Sequence, residues 1–198
     1  KDSDLHLTDQ VAAEIIDPNR NTMDKDNHYW ITHAEENNLV VGTKARILYA
    51  DEEERIRIAL RFNQLIREGK LGPVMIGRDH HDTGGTDSPF RETANIKDGS
   101  NRMADMAAHC FAGNAARGLT MVVLSNGGGV GVGKAFNSGN GIVLDGSEYI
   151  DNVIKSGLSW DVMGGVGRRN WARNENAMKT VQNWNEVHSD EGHITMPE

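Results

Sequence analysis

Residues 78–82, RDHHD, place an arginine, two aspartates and two histidines next to one another. Aspartate beside histidine supports two kinds of chemistry: ligation of a metal ion, or proton transfer by a general acid or base whose pKa is set by its neighbours. The segment follows residues 73–77, PVMIG, a short apolar run that is typical of a buried strand. Because sites in α/β proteins form at strand ends, residues 78–82 are a candidate functional segment. The alternative is that this polar run only caps a helix and solvates a loop.

A second candidate is the glycine-rich stretch within residues 124–136, LSNGGGVGVGKAF. Glycines permit positive φ angles and let backbone N–H groups approach a ligand without a Cβ in the way. The spacing is close to that of a P-loop, but Ala135 stands where a magnesium-binding hydroxyl belongs, and nearby glycines oppose the helix that a P-loop needs. The Rossmann spacing G-x-G-x-x-G also fails, because its third glycine would fall at Lys134. The pattern favours close approach to a ligand over a simple glycine-rich turn. The candidate contacts are Gly127, Gly128, Gly129 and Gly131.

Composition excludes several classes of protein. The 198 residues carry 21 basic and 29 acidic side chains, and the net charge of -8 opposes binding to a phosphate backbone, so we expect no nucleic acid partner. The sequence has no run of about 20 apolar residues, so we expect no membrane span. A single cysteine, Cys110, indicates a reducing compartment and hence a cytoplasmic protein. Because the chain starts with Lys1, we expect a piece of a longer polypeptide.

The rest of the chain alternates between helical and strand patterns. Apolar periodicity and end signals predict helices over 8–16, 23–37, 51–69, 100–117, 147–157 and 170–184, and strands over 73–77, 119–124 and 141–144. Asp51 and Glu54 form a capping box, and Gly118 suits a left-handed helix end. The alternation predicts an α/β fold, a layered domain with a mainly parallel sheet flanked by helices. We expect an N-terminal helical segment over 1–38, the α/β domain over 39–185 and a frayed tail over 186–198.

Several longer motifs resemble one family. They are GRDHHDTGGTDSPFRET at 77–93, KDGSNRMADMA at 97–107, NGGGVG at 126–131, LDG at 144–146 and WDVMGGVGRRNWARNENA at 160–177. In this order they resemble the C-terminal domain of the urocanase family, the urocanate hydratases of histidine breakdown, over about residues 39–177. The resemblance implies hydration of urocanate to imidazolone propionate, with a tightly bound NAD⁺ that acts as an electrophile and is restored in each turnover.

The resemblance also implies roles for individual residues. Asp79 would be the proton-transfer acid or base with His80 beside it, and Gly127 would place its backbone N–H against the NAD⁺. We expect the acidic and glycine-rich loops to face each other across one cleft. Arg91 and Thr93 are our candidates for binding the substrate carboxylate, because a guanidinium group fits a carboxylate and a hydroxyl can add a bond. Their alternative role is to stiffen the loop by local pairing.

The resemblance further implies partners for the chain. The other urocanase domains supply most of the NAD⁺ pocket, so we expect an isolated chain without activity, and a homodimer in the full enzyme. Two other functions stay open. A DHH-type phosphoesterase would use His80, His81 and Asp82 as metal ligands, although Val130 stands where that family has a histidine, and a non-catalytic assembly module would use none. The preferred interpretation assigns no metal ligand, and it treats Cys110 as a buried core thiol.

Overall fold

The computed structural model describes residues 2–37, 45–78, 104–126 and 136–198. The helices are α1 (Asp2–Ile15), α2 (Thr22–Thr32), α3 (Glu52–Arg67), α4 (Ala104–Ala116), α5 (Glu148–Trp171) and α6 (Glu175–Val187), and the strands are β1 (Val74–Arg78), β2 (Met121–Asn126) and β3 (Phe136–Leu144). The chain divides into two compact units, Lys1–Ile76 with Val143–Leu158, and Gly77–Ile142 with Ser159–Glu198. No helix in these described ranges is both long and apolar enough to cross a membrane.

The first unit is built on three helices, because α1 packs against both α2 and α3. Its interior is apolar and includes Val11, Ile16, Ile31, Ile58, Phe62, Leu65, Val153 and Ile154. The predicted start of α3 is confirmed, since the Asp51 side chain accepts a 2.9 Å hydrogen bond from the backbone N–H of Glu54. The predicted end is confirmed as well, because Gly69 adopts a φ of 71° immediately after the helix.

A partly buried charged cluster joins the first turns of α2 and α3. The Arg20 guanidinium group contacts Asp24 at 2.5 Å, Asp51 at 2.6 Å and Glu54 at 3.0 Å. Asp24 and Glu54 are almost completely buried. Burial raises the pKa of the Glu54 carboxyl, and the Arg20 charge opposes that rise. The cluster therefore provides a cation for carboxylates that would otherwise be buried without one.

The LDG motif forms a turn that Asn63 of α3 holds in place. The fully buried Asn63 accepts a 2.8 Å hydrogen bond from the Gly146 N–H and donates to the Ser147 carbonyl at 2.9 Å and to Asp151 at 2.7 Å. Gly146 has a φ of 87°, and a Cβ there would come within 2.9 Å of the Arg67 backbone. Both facts require glycine, so this motif residue has a structural role.

The sheet corrects the predicted fold class. The three strands form a small antiparallel sheet in the order β1-β3-β2, and β2 pairs with β3 from Met121↔Gly141 to Asn126↔Phe136. A mainly parallel sheet is therefore wrong. The reason is the length of the connection: only residues 127–135 join β2 to β3, whereas a parallel crossover needs about a dozen residues or more. A strand is present at each predicted place, but β3 begins at Phe136, five residues before the predicted start at Gly141. Strand β2 lies at an edge and exposes Met121 and Leu124.

Helix α5 is much longer than the predicted 147–157. It continues to Trp171 through the glycines at 157, 164, 165 and 167. Each interior glycine costs a helix about 1 kcal/mol. Burial of the apolar Leu158 and Met163 in this part of the helix offsets that cost, and the buried Asp161 accepts a hydrogen bond from Asn140. The helix ends before Arg173, which has a left-handed φ of 60°, and α6 then starts after the N-cap Asn174.

Candidate functional site

The residues that the sequence singles out lie outside the described part of the chain. They are Asp79, His80, Arg91, Thr93, Gly127, Gly128, Gly129 and Gly131, together with the alternative metal ligands His81 and Asp82. Their roles therefore stay predictions. The described residues that flank them define where the chain enters and leaves both candidate loops.

Both candidate loops begin at the ends of strands that flank β3. Strand β1 ends at Arg78, immediately before Asp79, and β2 ends at Asn126, immediately before Gly127. In an antiparallel sheet of this order the two outer strands run in the same direction. The last residues of β1 and β2 therefore lie at the same end of the sheet. The glycine-rich segment is anchored at both sides, because Asn126 and Phe136 are register partners.

A buried polar pair lies beside the strand that leads to the acidic loop. A Cβ on Gly77 would meet the Asn140 carbonyl oxygen at 3.5 Å, which places the end of β1 against the middle of β3. The Asn140 side-chain amide donates a 2.9 Å hydrogen bond to the Asp161 carboxylate. Both residues are almost completely buried. Sequence analysis missed this pair. Its available signal was Asp161 itself, an acidic residue in the run of apolar and small residues WDVMGG.

Ser125, the residue before Asn126, carries a hydroxyl group near the end of β2. Ser125 is partly buried, and its hydroxyl oxygen has no hydrogen-bond partner among the described residues. Its register partner is Asn137 of β3. Most buried hydroxyl groups in proteins are hydrogen-bonded. The end of β2 thus carries a polar group whose hydrogen-bonding capacity the described part of the chain leaves unused.

Trp160, the first residue of the last motif, packs against α4. Its ring lies 5.0 Å from the His109 ring in an edge-to-face arrangement, and the Arg117 guanidinium group sits 4.3 Å from the ring centroid. Close approach is possible because residue 113 is glycine: a Cβ there would come within 2.2 Å of the Trp160 ring. The Trp160 indole N–H donates to the Cys110 carbonyl at 3.5 Å. Cys110 is buried, as predicted.

The described residues offer no alternative metal centre. Within the ranges that the structure describes, no group of three or more His, Cys, Asp or Glu side chains could hold a metal ion. What the described part of the second unit does contain is the ends of β1 and β2, from which both candidate segments start, and the buried pair Asn140 and Asp161 beside β1. Any metal site built from His80, His81 and Asp82 would fall outside it.

Comparison with known proteins identifies the family. Residues 1–183 match the family model of the urocanase C-terminal domain. The chain is 49% identical over 191 residues to the probable urocanate hydratase of Caenorhabditis elegans, which covers 92% of this chain and 28% of the relative. It is 46% identical over 189 residues to the probable urocanate hydratase of Dictyostelium discoideum, covering 90% of this chain and 28% of that protein. It is also 46% identical over 187 residues to the urocanate hydratase of Mus musculus, again covering 90% and 28%.

These matches extend over nearly the whole chain but only about 28% of each relative. The predicted resemblance is confirmed, and it reaches further toward the N-terminus than the motifs indicated. Neither alternative function gains support from these relatives. The chain belongs to the urocanase family, as its C-terminal domain.

Proposed function

We propose that the chain is part of a urocanate hydratase, which adds water to urocanate to give imidazolone propionate in histidine degradation. The observation that carries this proposal is the 46–49% identity to relatives named urocanate hydratase over at least 90% of the chain. Because the chain spans only 28% of those relatives, the remaining urocanase domains are necessary partners. The isolated chain is therefore expected to be inactive, and the complete enzyme is expected to be a homodimer in the cytoplasm.

Asp79 and His80 are the proposed proton-transfer residues. They follow β1 directly, and β1 is held against β3 at Gly77 and Asn140. A proton-transfer group has to meet the substrate at hydrogen-bond distance, and the paired strand β1 sets where the chain enters the segment that carries Asp79 and His80. Asp79 would exchange a proton with the imidazole ring of urocanate, and His80 would orient the carboxylate.

The glycine-rich segment is the proposed contact with NAD⁺. The segment offers backbone N–H groups at Gly127, Gly128, Gly129 and Gly131 that no side chain obstructs, which suits a phosphate-bearing or nicotinamide-bearing ligand. The paired residues Asn126 and Phe136 hold both ends of the segment, so its chain ends are already positioned. When bound, NAD⁺ supplies an electrophilic ring. The chain's own part is to hold it and to present Asp79 near it.

Arg91 and Thr93 are the proposed contacts for the substrate carboxylate. The guanidinium group can donate two parallel hydrogen bonds to a carboxylate, and the threonine hydroxyl can donate a third. Their chemistry is the basis of this proposal, together with their position in the same motif as Asp79.

The proposed function is tested by reconstitution. The chain is co-expressed with the part of the C. elegans relative that lies outside the matched region, NAD⁺ is added, and urocanate consumption is followed by its ultraviolet absorbance. We expect turnover in the mixture and none with the chain alone. Asp79→Asn should reduce turnover at least about 100-fold, because general acid–base catalysis contributes about that much or more. Asp190→Asn, on an exposed residue after α6, is the control and should not change it. Full turnover by Asp79→Asn would refute the assignment.

A further inference from the structure

Two large apolar side chains of residues 45–50 point outward: Ile47 is 74% exposed and Tyr49 is 57% exposed. The inward side of the same segment carries the buried Ala50, and also Arg46, whose side chain is only 12% exposed and whose guanidinium group pairs with Asp9 of α1 at 2.8 Å. Surface segments ordinarily turn their large apolar side chains toward the core. The exposure of Ile47 and Tyr49 on the outward side favours a partner that covers that side.

The outward orientation of Tyr49 is fixed by Asn27 of α2. The Asn27 side-chain amide donates to the Tyr49 carbonyl at 3.2 Å, and its side-chain oxygen accepts from the Tyr49 N–H at 3.1 Å. Asn27 is fully buried. These two bonds occupy both backbone groups of Tyr49, as a neighbouring strand would do. The backbone direction, and with it the side on which Tyr49 projects, is therefore held from within the unit.

Trp30 of α2 extends this surface. Its ring lies 6.1 Å from the Tyr49 ring in an edge-to-face arrangement, and Trp30 is 38% exposed. We call Trp30, Ile47 and Tyr49 the aromatic face. Aromatic side chains with a polar tip are enriched in the buried centres of protein interfaces, where a few of them carry most of the binding energy.

We propose that the aromatic face is the docking surface for the part of the urocanate hydratase that lies outside the matched region. This rests on the proposed function in one respect, that the remainder of the enzyme is the partner. The matched region is only 28% of each relative, so most of the polypeptide available to cover the face lies outside this chain. A second copy of the chain is the competing occupant, and the experiment separates the two.

The test measures the protection of a single introduced thiol. Ile47→Cys is labelled with a fluorescent maleimide in the presence and absence of the co-expressed remainder of the C. elegans relative. Background labelling of this chain is low because its single native cysteine, Cys110, is buried. The matched control is Tyr149→Cys, since Tyr149 is 64% exposed at the start of α5 in the same unit, outside the aromatic face.

We expect the labelling rate of Ile47→Cys to fall at least about 10-fold at saturating partner, because only the free fraction reacts, and that of Tyr149→Cys to stay unchanged. No protection at position 47, or equal protection at both positions, would overturn the proposal. Protection that grows with the concentration of the chain alone would assign the face to a second copy and would also overturn it.

A second measurement does not depend on an introduced cysteine. The double variant Trp30→Ala/Tyr49→Ala should lose co-purification with the remainder of the enzyme, whereas Tyr149→Ala should retain it. Unfolding curves of the variants show that each is folded before it is compared. Asp79→Asn should lose turnover and keep full protection of Ile47→Cys, so docking and catalysis are measured separately. Protection without any turnover in the mixture would refute the proposed function and leave the docking surface standing.

Discussion

The Asn140 side chain of β3 donates a 2.9 Å hydrogen bond to the carboxylate of Asp161 on α5, and both residues are almost completely buried. Asn140 also provides the carbonyl oxygen that a Cβ on Gly77, two residues before Asp79, would meet at 3.5 Å. A polar pair inside the second unit thus stabilises the strand against which β1 ends. Asp161, the acidic residue in the run WDVMGG, accepts this hydrogen bond.

Removing the Asp161 carboxylate should destabilise the second unit. Asp161→Ala leaves the Asn140 amide without this acceptor in a buried position, and an unsatisfied buried group costs about 1–3 kcal/mol. Asp161→Asn keeps an acceptor oxygen and should recover a large part of that loss. The measurement is the free energy of unfolding in urea, with the exposed Asp190→Ala as the control. Equal stability of the Ala and Asn variants would show that the hydrogen bond contributes little.

Gly113 and Gly164 should respond in opposite ways to alanine. A Cβ at Gly113 would come within 2.2 Å of the Trp160 ring, and overpacking of this kind costs about 1–3 kcal/mol. A Cβ at Gly164 meets nothing within 4 Å, so the helix gains about 1 kcal/mol from alanine. Thermal unfolding should therefore show a lower melting temperature for Gly113→Ala and a higher one for Gly164→Ala. A rise for both would mean that the Trp160 ring moves aside without cost.

Asn63→Ala should be among the most destabilising single changes in the first unit. It leaves the Gly146 N–H and the Ser147 carbonyl without their buried partner, so we expect a loss of at least about 2 kcal/mol. The exposed neighbour Gln64→Ala is the control, with an expected change within about 0.5 kcal/mol. Urea unfolding checks both. A loss at position 63 no larger than that at position 64 would contradict the role given to the LDG turn.

Glu54→Gln should change how stability depends on pH. Burial raises the pKa of Glu54 above its ordinary value of 4.5, although Arg20 opposes this. A carboxyl with a raised folded-state pKa contributes stability that is present below its unfolded pKa and is lost as the pH rises through the folded one. The free energy of unfolding of Glu54→Gln minus that of the wild type should therefore increase from pH 4.5 toward neutral pH.

The control for this titration is Glu53→Gln, on an adjacent residue of α3 whose side chain is 74% exposed. The change with pH at position 54 is read relative to this exposed position and should be the larger of the two. A difference that falls with rising pH at position 54 would mean that the ion pair with Arg20 outweighs burial.

The sequence predicted local structure better than it predicted pairing. The N-cap Asp51, the helix end at Gly69 and the left-handed Gly118 are local signals that depend on a few neighbouring residues, and all three are confirmed. Strand direction depends on which strands meet, and the apolar runs of β2 and β3 carry no such information. The predicted strands left residues 125–140 between them, which is long enough for a crossover. Because β2 extends to Asn126 and β3 begins at Phe136, the connection in the structure is too short for one.

The extension of α5 could not be predicted for a related reason. Glycines at 157, 164, 165 and 167 signal a helix end in a sequence, and the burial of Leu158 and Met163 reverses that signal. The candidate site rested on motif resemblance, which the relatives confirm at the level of the family. Asp161 stands out as an acidic residue among apolar and small ones, but no local pattern identifies the distant Asn140 as its partner.

The pairing of Asn126 with Phe136 brings the two ends of the nine residues between them to neighbouring positions in the ladder. Replacing those nine residues with a segment of equal length from another family member should therefore leave the register of β2 and β3 unchanged. The proposed contact with NAD⁺ could then be varied separately from the pairing of the two strands.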